Sequence, residues 1–221
     1  MPPRTAAHWL AILTACGVGP ATAQLWSQVF ADTLKSDSFS RGDEDLADFL
    51  PNALHESAML TQLEENLNYT PEALLDTFGA HRITPEQAQA VGRVPGKHVA
   101  DQRAIANIVY GGDWGRKHLG NILPDDGWRY RGRGIPGITG ADNYRRVGDL
   151  MGQNLEGIPD LLAQPRFALE AGIAWWEDRI PDSMLGETTA LRQRVNGGTL
   201  GLAEVQRLTR LARPALEANH G

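Results

Sequence analysis

The stretch NALHESAMLTQLEENLNYT, residues 52–70, contains a glutamate within an apolar helical pattern. At helical spacing, Glu56 shares one face with four hydrophobic residues: Phe49, Ala53, Leu60 and Leu63. An unpaired charge on such a face is costly. Burial also favours the protonated form of a carboxyl, which can then act as a general acid. Glu56 is therefore predicted either to pair with an arginine or cap a helix, or to have a catalytic role.

A second carboxylate, Glu65, follows nine residues after Glu56. On a continuous helix it would point to the opposite side, so it approaches Glu56 only if the helix breaks near residues 63–64. The turn-forming residues of ENLNYTPE (65–72) favour such a break. An acid and a base about 6.5–9.5 Å apart suit inverting glycoside hydrolysis, and a closer pair suits retention. Sequence spacing leaves this distance open.

Helix-start and helix-stop residues predict one mainly α domain over residues 1–221. Threonine followed by proline marks two helix starts, at Thr70 and Thr84. The segment YGGDWGRKHLGN (110–121) is predicted to be a glycine-rich loop, and WRYRGRGI (128–135) a short strand or hairpin. The other helices are predicted at residues 6–16, 20–35, from 43 onwards, 97–109, 139–151, 164–179, 187–195 and 201–218.

Composition and charge argue against several classes of protein. The net charge is −6 and RYRGRG (129–134) is a single short basic copy, so a nucleic-acid partner is disfavoured. The six histidines form no HExxH pattern, and we expect neither a metal nor a cofactor. Cys16 is the single cysteine, which excludes an internal disulfide and is predicted to be a buried, inert thiol. The apolar segment 6–18 is predicted to be an amphipathic helix rather than a signal peptide.

Five short motifs occur in order along the chain: HES (55–57), ENLNYT (65–70), GWRYRGRG (127–134), ITGADNY (138–144) and VNGG (195–198). Together they resemble the chitinase-like domain of glycoside hydrolase family 19, in the version found in bacteriophage endolysins. The resemblance implies a catalytic region over 46–218, with N-terminal helices from 1–45 packing on it. It further implies a lysozyme-like α-helical domain with a small β-hairpin element, which cleaves β-1,4 bonds in peptidoglycan glycan strands.

The resemblance also implies roles for individual residues. Glu56 matches the proton donor, and Thr139 matches the residue that helps to position the attacking water. Glu65 is the carboxylate that follows in the endolysin motif; in plant-type members the second catalytic glutamate lies farther along the chain, so Glu65 is either the base or structural. The residues predicted to bind substrate are His55, Tyr69, Trp128, Tyr130, Arg133, Gly137, Asn143, Tyr144 and Asn196.

One of these positions departs from the family pattern. Gly137 stands where the family has a substrate-contacting glutamine. The change removes an amide that could hydrogen-bond an N-acetyl group or the attacking water. Either another side chain substitutes for it, or activity is weakened.

Aromatic and basic residues near the motifs allow two interpretations. Sugar rings stack on aromatic faces, so four residues are candidates to line a groove or to pack in the core: Tyr69, Trp114, Trp128 and Tyr130. Trp175 and Trp176 are predicted to be core residues. Three arginines are expected either to meet the carboxylates of peptide stems or to pair internally with acidic residues such as Asp125 and Asp126: Arg129, Arg131 and Arg133.

The function predicted from the motifs is that of an endolysin, a hydrolase of peptidoglycan used in bacterial cell lysis. We expect a monomer that stays in the host bacterial cytoplasm until lysis and then acts in the periplasm on the cell wall. Reaching the wall would require a holin-type membrane permeabiliser. The alternatives are a chitinase and a non-catalytic cell-wall-binding relative. A type VI secretion effector with the same fold would carry the same motifs.

Overall fold

The computed structural model describes residues 3–219 and is mainly helical, which confirms the predicted fold class. Among the described residues, no helix is both long enough and apolar enough to cross a membrane. Two short 3-10 helices lie at Pro159–Ala163 and Asp182–Met184. The α-helices are α1 Ala6–Ala15, α2 Pro20–Thr33, α3 Asp43–Glu56, α4 Pro71–Phe78, α5 Pro85–Val91, α6 Gln102–Val109, α7 Gly112–Leu119, α8 Asp126–Arg129, α9 Ala141–Met151, α10 Pro165–Arg179, α11 Thr188–Asn196 and α12 Leu202–Ala218.

The two threonine–proline helix starts are confirmed. Thr70 Oγ1 accepts a hydrogen bond from the Ala73 amide at the start of α4, at 3.3 Å. At the start of α5, Thr84 Oγ1 accepts from the Gln87 amide at 3.2 Å, and the Gln87 side chain accepts from the Thr84 amide at 3.0 Å. Each cap satisfies an amide that has no partner within the helix. Sequence alone therefore placed both starts to within one residue.

The chain divides into two compact units. The first unit comprises the described parts of Met1–Leu63, Gly134–Gly137 and Leu161–Gly221. In it α1 packs against α2, and α3 packs against α12. Its core is rich in large buried side chains, among them Trp9, Trp26, Phe30, Phe49 and Trp176. Cys16 lies in this core, where burial raises the pKa of its thiol to about 11, as expected for an inert cysteine.

The second unit comprises Glu64–Arg133 and Ile138–Asp160. Helix α4 packs against α5, and α6 packs against α8. A smaller core is formed by residues from these helices and the segments between them, including Leu67, Leu74, Phe78, Ile105 and Tyr110.

Two predictions of local structure in the second unit are wrong. The segment 110–121 contains helix α7 rather than a loop, with Asp113 in its first turn and three basic residues in its last, which complements the helix dipole. Gly120 ends this helix in the left-handed conformation, with a φ of 70°. The helix predicted at 97–109 begins only at Gln102, because Asp101 caps it by accepting from the Ala104 amide at 3.0 Å.

The predicted hairpin at 128–135 is not confirmed. Residues 126–129 form the short helix α8, and the chain then makes only isolated bridges: Arg133 pairs with Glu64 and with Ile138. Within residues 3–219 these bridges do not extend into a ladder of strands. The surrounding glycines and Pro136 offer few side chains for cross-strand packing, and proline has no amide to donate.

The quoted stretch 52–70 also differs from its helical pattern. Helix α3 ends at Glu56, and the next turn is left-handed, with positive φ values at Ala58, Met59 and Leu60 (47°, 61° and 67°). Ser57 closes the helix: its Oγ donates to the Ala53 carbonyl at 2.6 Å and accepts from the Leu60 amide at 3.0 Å. The helix therefore breaks before the predicted point, and Glu56 is its last residue.

Candidate active site

Glu56 is held by a buried arginine of the first unit. Its side chain is 22% exposed, and Arg192 of α11, whose side chain is 3% exposed, donates from Nη1 to Glu56 Oε1. Arg192 is oriented by a second hydrogen bond, from Nε to the Leu200 carbonyl at 2.7 Å. The sequence analysis allowed for an arginine partner of Glu56, and the structure identifies it.

Arg192 was absent from the sequence-based candidates, although a signal was available. It precedes the candidate Asn196 by four residues, which places both on one face of α11. Both side chains donate to the same acceptor, the Leu200 carbonyl, with Asn196 Nδ2 at 3.0 Å. The motif VNGG therefore marks the end of the helix that carries the partner of Glu56.

Asn196 itself shapes the loop that follows α11. Its Oδ1 accepts from the Gly198 amide at 2.9 Å while its Nδ2 binds the Leu200 carbonyl. Gly197 takes the left-handed conformation that ends the helix, with a φ of 77°. These contacts explain the VNGG sequence structurally, and a direct contact of Asn196 with substrate stays a prediction.

His55 lies beside Glu56 at the end of α3 and packs against the backbone of Gly201. A β-carbon on Gly201 would lie 2.2 Å from His55 Nε2, so the histidine ring is in close contact with the Gly201 backbone. Gly201 also has a positive φ of 77°, which favours glycine. Gly137, the position of the missing glutamine, belongs to the same unit and is exposed.

A small cavity lies next to Glu56 in the first unit. Its wall is mostly apolar and is formed by Phe49, Asn52, Ala53, Glu56, Ile135, Pro136, Trp175, Trp176 and Val195. Trp176 is buried and its Nε1 donates to Asp45 Oδ1 at 2.8 Å, which confirms it as a core residue. Trp175 is only half-buried. Trp175, which was predicted to be a core residue, thus lines the same cavity as Glu56.

Glu65 lies in the second unit and is bound through both of its oxygens. The Gly132 amide donates to Oε1 at 2.6 Å, and the Tyr110 hydroxyl donates to Oε2 at 2.7 Å. Burial raises the pKa of Glu65, although these hydrogen bonds and the charges of Arg131 and Arg133 oppose the shift. Burial and the nearby carboxylate also raise the pKa of Tyr110. Tyr110 is a partner that the motifs did not indicate.

Thr139 and Asn143 gather close to Glu65 around Gly132. A β-carbon on Gly132 would lie 3.2 Å from Thr139 Oγ1 and 3.3 Å from the carboxyl carbon of Glu65, so both groups border the same backbone position. Asn143 Nδ2 donates to the Thr139 carbonyl at 2.7 Å. The structure therefore brings three predicted site residues together in the second unit.

Two arginines of the GWRYRGRG motif, Arg131 and Arg133, form internal ion pairs. Arg131 and Arg133 both bind Glu64 Oε2, at 2.8 Å and 2.7 Å, and Arg133 also binds Asp160 at 2.8 Å. Their side chains are only 10% and 2% exposed. Arg129 donates to the Glu156 carbonyl at 3.1 Å. These contacts favour the internal alternative, with acidic partners other than Asp125 and Asp126.

Two of the tyrosines predicted to bind substrate are buried in this framework. The Tyr144 hydroxyl donates to the Arg131 carbonyl at 2.7 Å and accepts from Arg133 at 3.1 Å. Burial raises the pKa of Tyr144 to about 12. The Tyr130 hydroxyl donates to the Glu156 carbonyl at 3.2 Å. Because Tyr144 is 0% exposed and Tyr130 5%, their contacts favour an indirect, supporting role.

Trp128 and Tyr69 remain half-buried. The guanidinium of Arg131 lies 3.7 Å from the centre of the Trp128 ring and covers one of its faces. Tyr69 packs edge-on against Phe78, with ring centres 5.7 Å apart. Trp114, also half-buried, has Arg82 stacked 3.5 Å from its ring. These three aromatics keep accessible surface that the two buried tyrosines lack.

Comparison with known proteins finds a relative that resembles this chain over most of its length. A protein of Haemophilus influenzae is 31% identical over 162 residues, which cover 73% of this chain and 75% of that protein. It is named as a glycosyl hydrolase family 19 domain-containing protein. No family model matches the chain. The similarity extends over most of both proteins and is not confined to the short motifs.

Proposed function

The chain belongs to glycosyl hydrolase family 19, and we propose that it hydrolyses β-1,4 glycosidic bonds in the glycan strands of peptidoglycan. The observation that carries the proposal is the setting of Glu56. One carboxyl oxygen is bound by the buried Arg192, and the side chain stays partly exposed beside a mostly apolar cavity. A partly exposed carboxyl at a cavity is open to a bound substrate, as a general acid must be.

The ion pair with Arg192 fits the charge that develops on the acid. When the bond between the anomeric carbon and the glycosidic oxygen breaks, the oxygen takes the proton of Glu56 and the carboxyl becomes negative. Arg192 already lies on that carboxyl, so the positive charge is in place before the reaction. Preorganised charge of this kind stabilises a transition state without rearrangement. Water then adds to the anomeric carbon and gives up a proton to a base.

Glu65 and Thr139 are our candidates for activating and positioning that water. A raised pKa makes the Glu65 carboxylate a stronger base than an exposed glutamate, which supports this role. The two hydrogen bonds to Glu65 equally suit a structural tie between residues 65, 110 and 132. The pH dependence of activity in variants of Glu65 therefore decides whether it is the base, because its contacts fit both roles.

Peptidoglycan is our preferred substrate and chitin is the alternative. Both contain β-1,4-linked N-acetylglucosamine, but muramic acid carries an additional lactyl group that needs space. Gly137 leaves space where the family has glutamine. The endolysin-type motifs favour the same substrate. We further propose that the protein acts as a monomer in bacterial cell lysis, held in the host cytoplasm until a holin-type permeabiliser admits it to the periplasm and the cell wall.

The test is digestion of purified peptidoglycan, and separately of a soluble chitin derivative, with mass spectrometry of the products. We expect soluble fragments from peptidoglycan, whose new reducing-end sugar identifies the bond that is cut. Glu56→Gln is the matched control, because it keeps size and polarity but cannot donate the acid proton. Release from chitin alone would favour the chitinase. Binding to peptidoglycan without release by the unmodified chain would identify a wall-binding relative and refute the catalytic proposal.

A further inference from the structure

One residue that lines the cavity beside Glu56 has a buried polar atom with no partner among the described residues. Asn52 precedes Glu56 by one turn of α3, and the residue is 4% exposed. Its Nδ2 donates to the Asp48 carbonyl at 2.9 Å, which fixes the orientation of the amide. Its Oδ1 is buried and accepts no hydrogen bond from the described residues. A buried acceptor in this state is costly, so a donor is expected to reach it.

Glu56 is the group best placed to supply that donor. Asn52 and Glu56 line the same cavity, and the seven other residues of its wall are apolar or aromatic. The cavity has room for about one water molecule. A water there could donate to Asn52 Oδ1 in either state of Glu56, whereas a direct bond from Glu56 requires the protonated carboxyl, because a carboxylate offers no donor.

We propose that Asn52 is a positioning residue for the general acid. Its Oδ1 accepts the hydrogen bond of the protonated Glu56 Oε2–H directly. Arg192 binds Oε1, which leaves Oε2 to carry the proton. This inference rests on the proposed function, in which Glu56 is the acid.

The hydrogen bond would favour the protonated form of the acid and hold its hydroxyl in one direction. Arg192 of α11 binds Glu56, and the neighbouring residue His55 interacts electrostatically with Glu204 of α12. Arg192 favours the ionised form that follows proton transfer. Asn52 therefore stabilises the acid before it gives up its proton, and Arg192 stabilises the carboxylate afterwards.

A pair of matched substitutions tests this role. Asn52→Thr keeps a hydroxyl that can donate to the Asp48 carbonyl and still accept, whereas Asn52→Val has the same shape and neither ability. We expect Asn52→Val to lose about tenfold in kcat on peptidoglycan at pH 8, to approach the wild type at pH 5, and to keep its KM. The alkaline limb of its pH profile should move to lower pH, and Asn52→Thr should recover most of the loss.

Parallel measurements separate this proposal from the proposed function. If the unmodified chain releases no fragments, the proposed function fails; if Glu56→Gln is as active as the wild type, Glu56 is not the acid and the role of Asn52 falls with that assignment. If Glu56→Gln is inactive but Asn52→Val lowers activity equally at every pH, or leaves it unchanged, only the role of Asn52 is overturned. Should Asn52→Val fail to fold, a crystal structure of the unmodified chain at pH 5 decides the question. A direct hydrogen bond between Asn52 Oδ1 and Glu56 Oε2 supports the proposal, and a bridging water alone or no contact overturns it.

Discussion

The first and second units each hold one of the two candidate catalytic carboxylates. The groups that bind these two carboxylates differ in kind. Glu56 is bound by a full positive charge on one oxygen, beside a mostly apolar cavity. Glu65 is bound by neutral donors on both oxygens, the Gly132 amide and the Tyr110 hydroxyl. In the second unit the buried arginines instead bind the neighbouring Glu64.

This difference indicates what each carboxylate can do. A carboxyl with one free oxygen can give up a proton, and an adjacent cation stabilises the charge left behind. A carboxylate with two donors is held in place and remains able to accept a proton at the cost of those contacts. Glu56 therefore suits the acid, while Glu65 suits either a base or a structural tie. Substitutions in each unit test this contrast.

Glu56→Gln should have the largest effect on activity. We expect peptidoglycan hydrolysis to fall by about 10²–10⁴-fold, because the acid is lost. Glutamine still offers an oxygen to Arg192, so the melting temperature should fall by only a few degrees. Hydrolysis rates and thermal melting check both statements. A variant with near-normal activity would make Glu56 a structural residue and remove the contrast between the units.

Arg192→Ala should reduce both activity and stability. It leaves Glu56 without its charged partner and removes a buried side chain that also binds the Leu200 carbonyl. Breaking a buried ion pair from one side costs about 3–5 kcal/mol, and we take the lower end because Glu56 is partly exposed. Denaturant unfolding measures this loss, and Arg192→Lys is the control that retains the charge. Equal activity of Arg192→Ala and the wild type would show that the positive charge has no part in catalysis.

Tyr144→Phe should affect the framework of the second unit and leave the acid of the first unit intact. The change leaves the buried Arg131 carbonyl and one Arg133 donor without their partner. Buried groups that lose a partner cost about 1–3 kcal/mol. We expect a lower melting temperature with kcat within about threefold of the wild type. A large fall in kcat/KM without loss of stability would instead favour direct contact of Tyr144 with substrate.

Glu65→Gln should have the smallest effect on stability, and its sign should depend on pH. Because the pKa of Glu65 is raised in the folded state, the unfolded chain ionises first, and folding becomes less favourable as pH rises from the unfolded pKa through the folded one. Removing the ionisable group should therefore raise the melting temperature above that of the wild type by a few degrees at pH 7. The gain should be smaller at pH 4.

Activity measurements on the same variant decide the role of Glu65. If it is the base, Glu65→Gln is inactive at every pH. Tyr110→Phe, which removes one donor to the carboxylate, should then move the acid limb of the activity profile to higher pH. An active Glu65→Gln protein with an unchanged profile would assign Glu65 to structure alone.

Much of the fold followed from local signals in the sequence. Thr70 and Thr84 each cap the predicted helix, because a threonine side chain satisfies a free amide within three residues. The prediction of a loop at 110–121 was wrong, because its glycines were given more weight than the charges that favour a helix. Those charges are an acidic residue in the first turn and basic residues in the last. The glycine-rich segment 128–135 carried strand-forming residues but no partner strand, and pairing of strands is not a local property.

The sequence alone predicts that Glu56 shares a helix with the apolar residues Phe49 and Ala53 and that family-like motifs surround it along the chain. Which groups contact Glu56 depends on tertiary packing, because Arg192 lies 136 residues away and no local pattern joins the two. The same holds for Tyr110 and Glu65, which are 45 residues apart. Periodicity reports which side of a helix is apolar, whereas the partner of a buried charge depends on how distant segments pack.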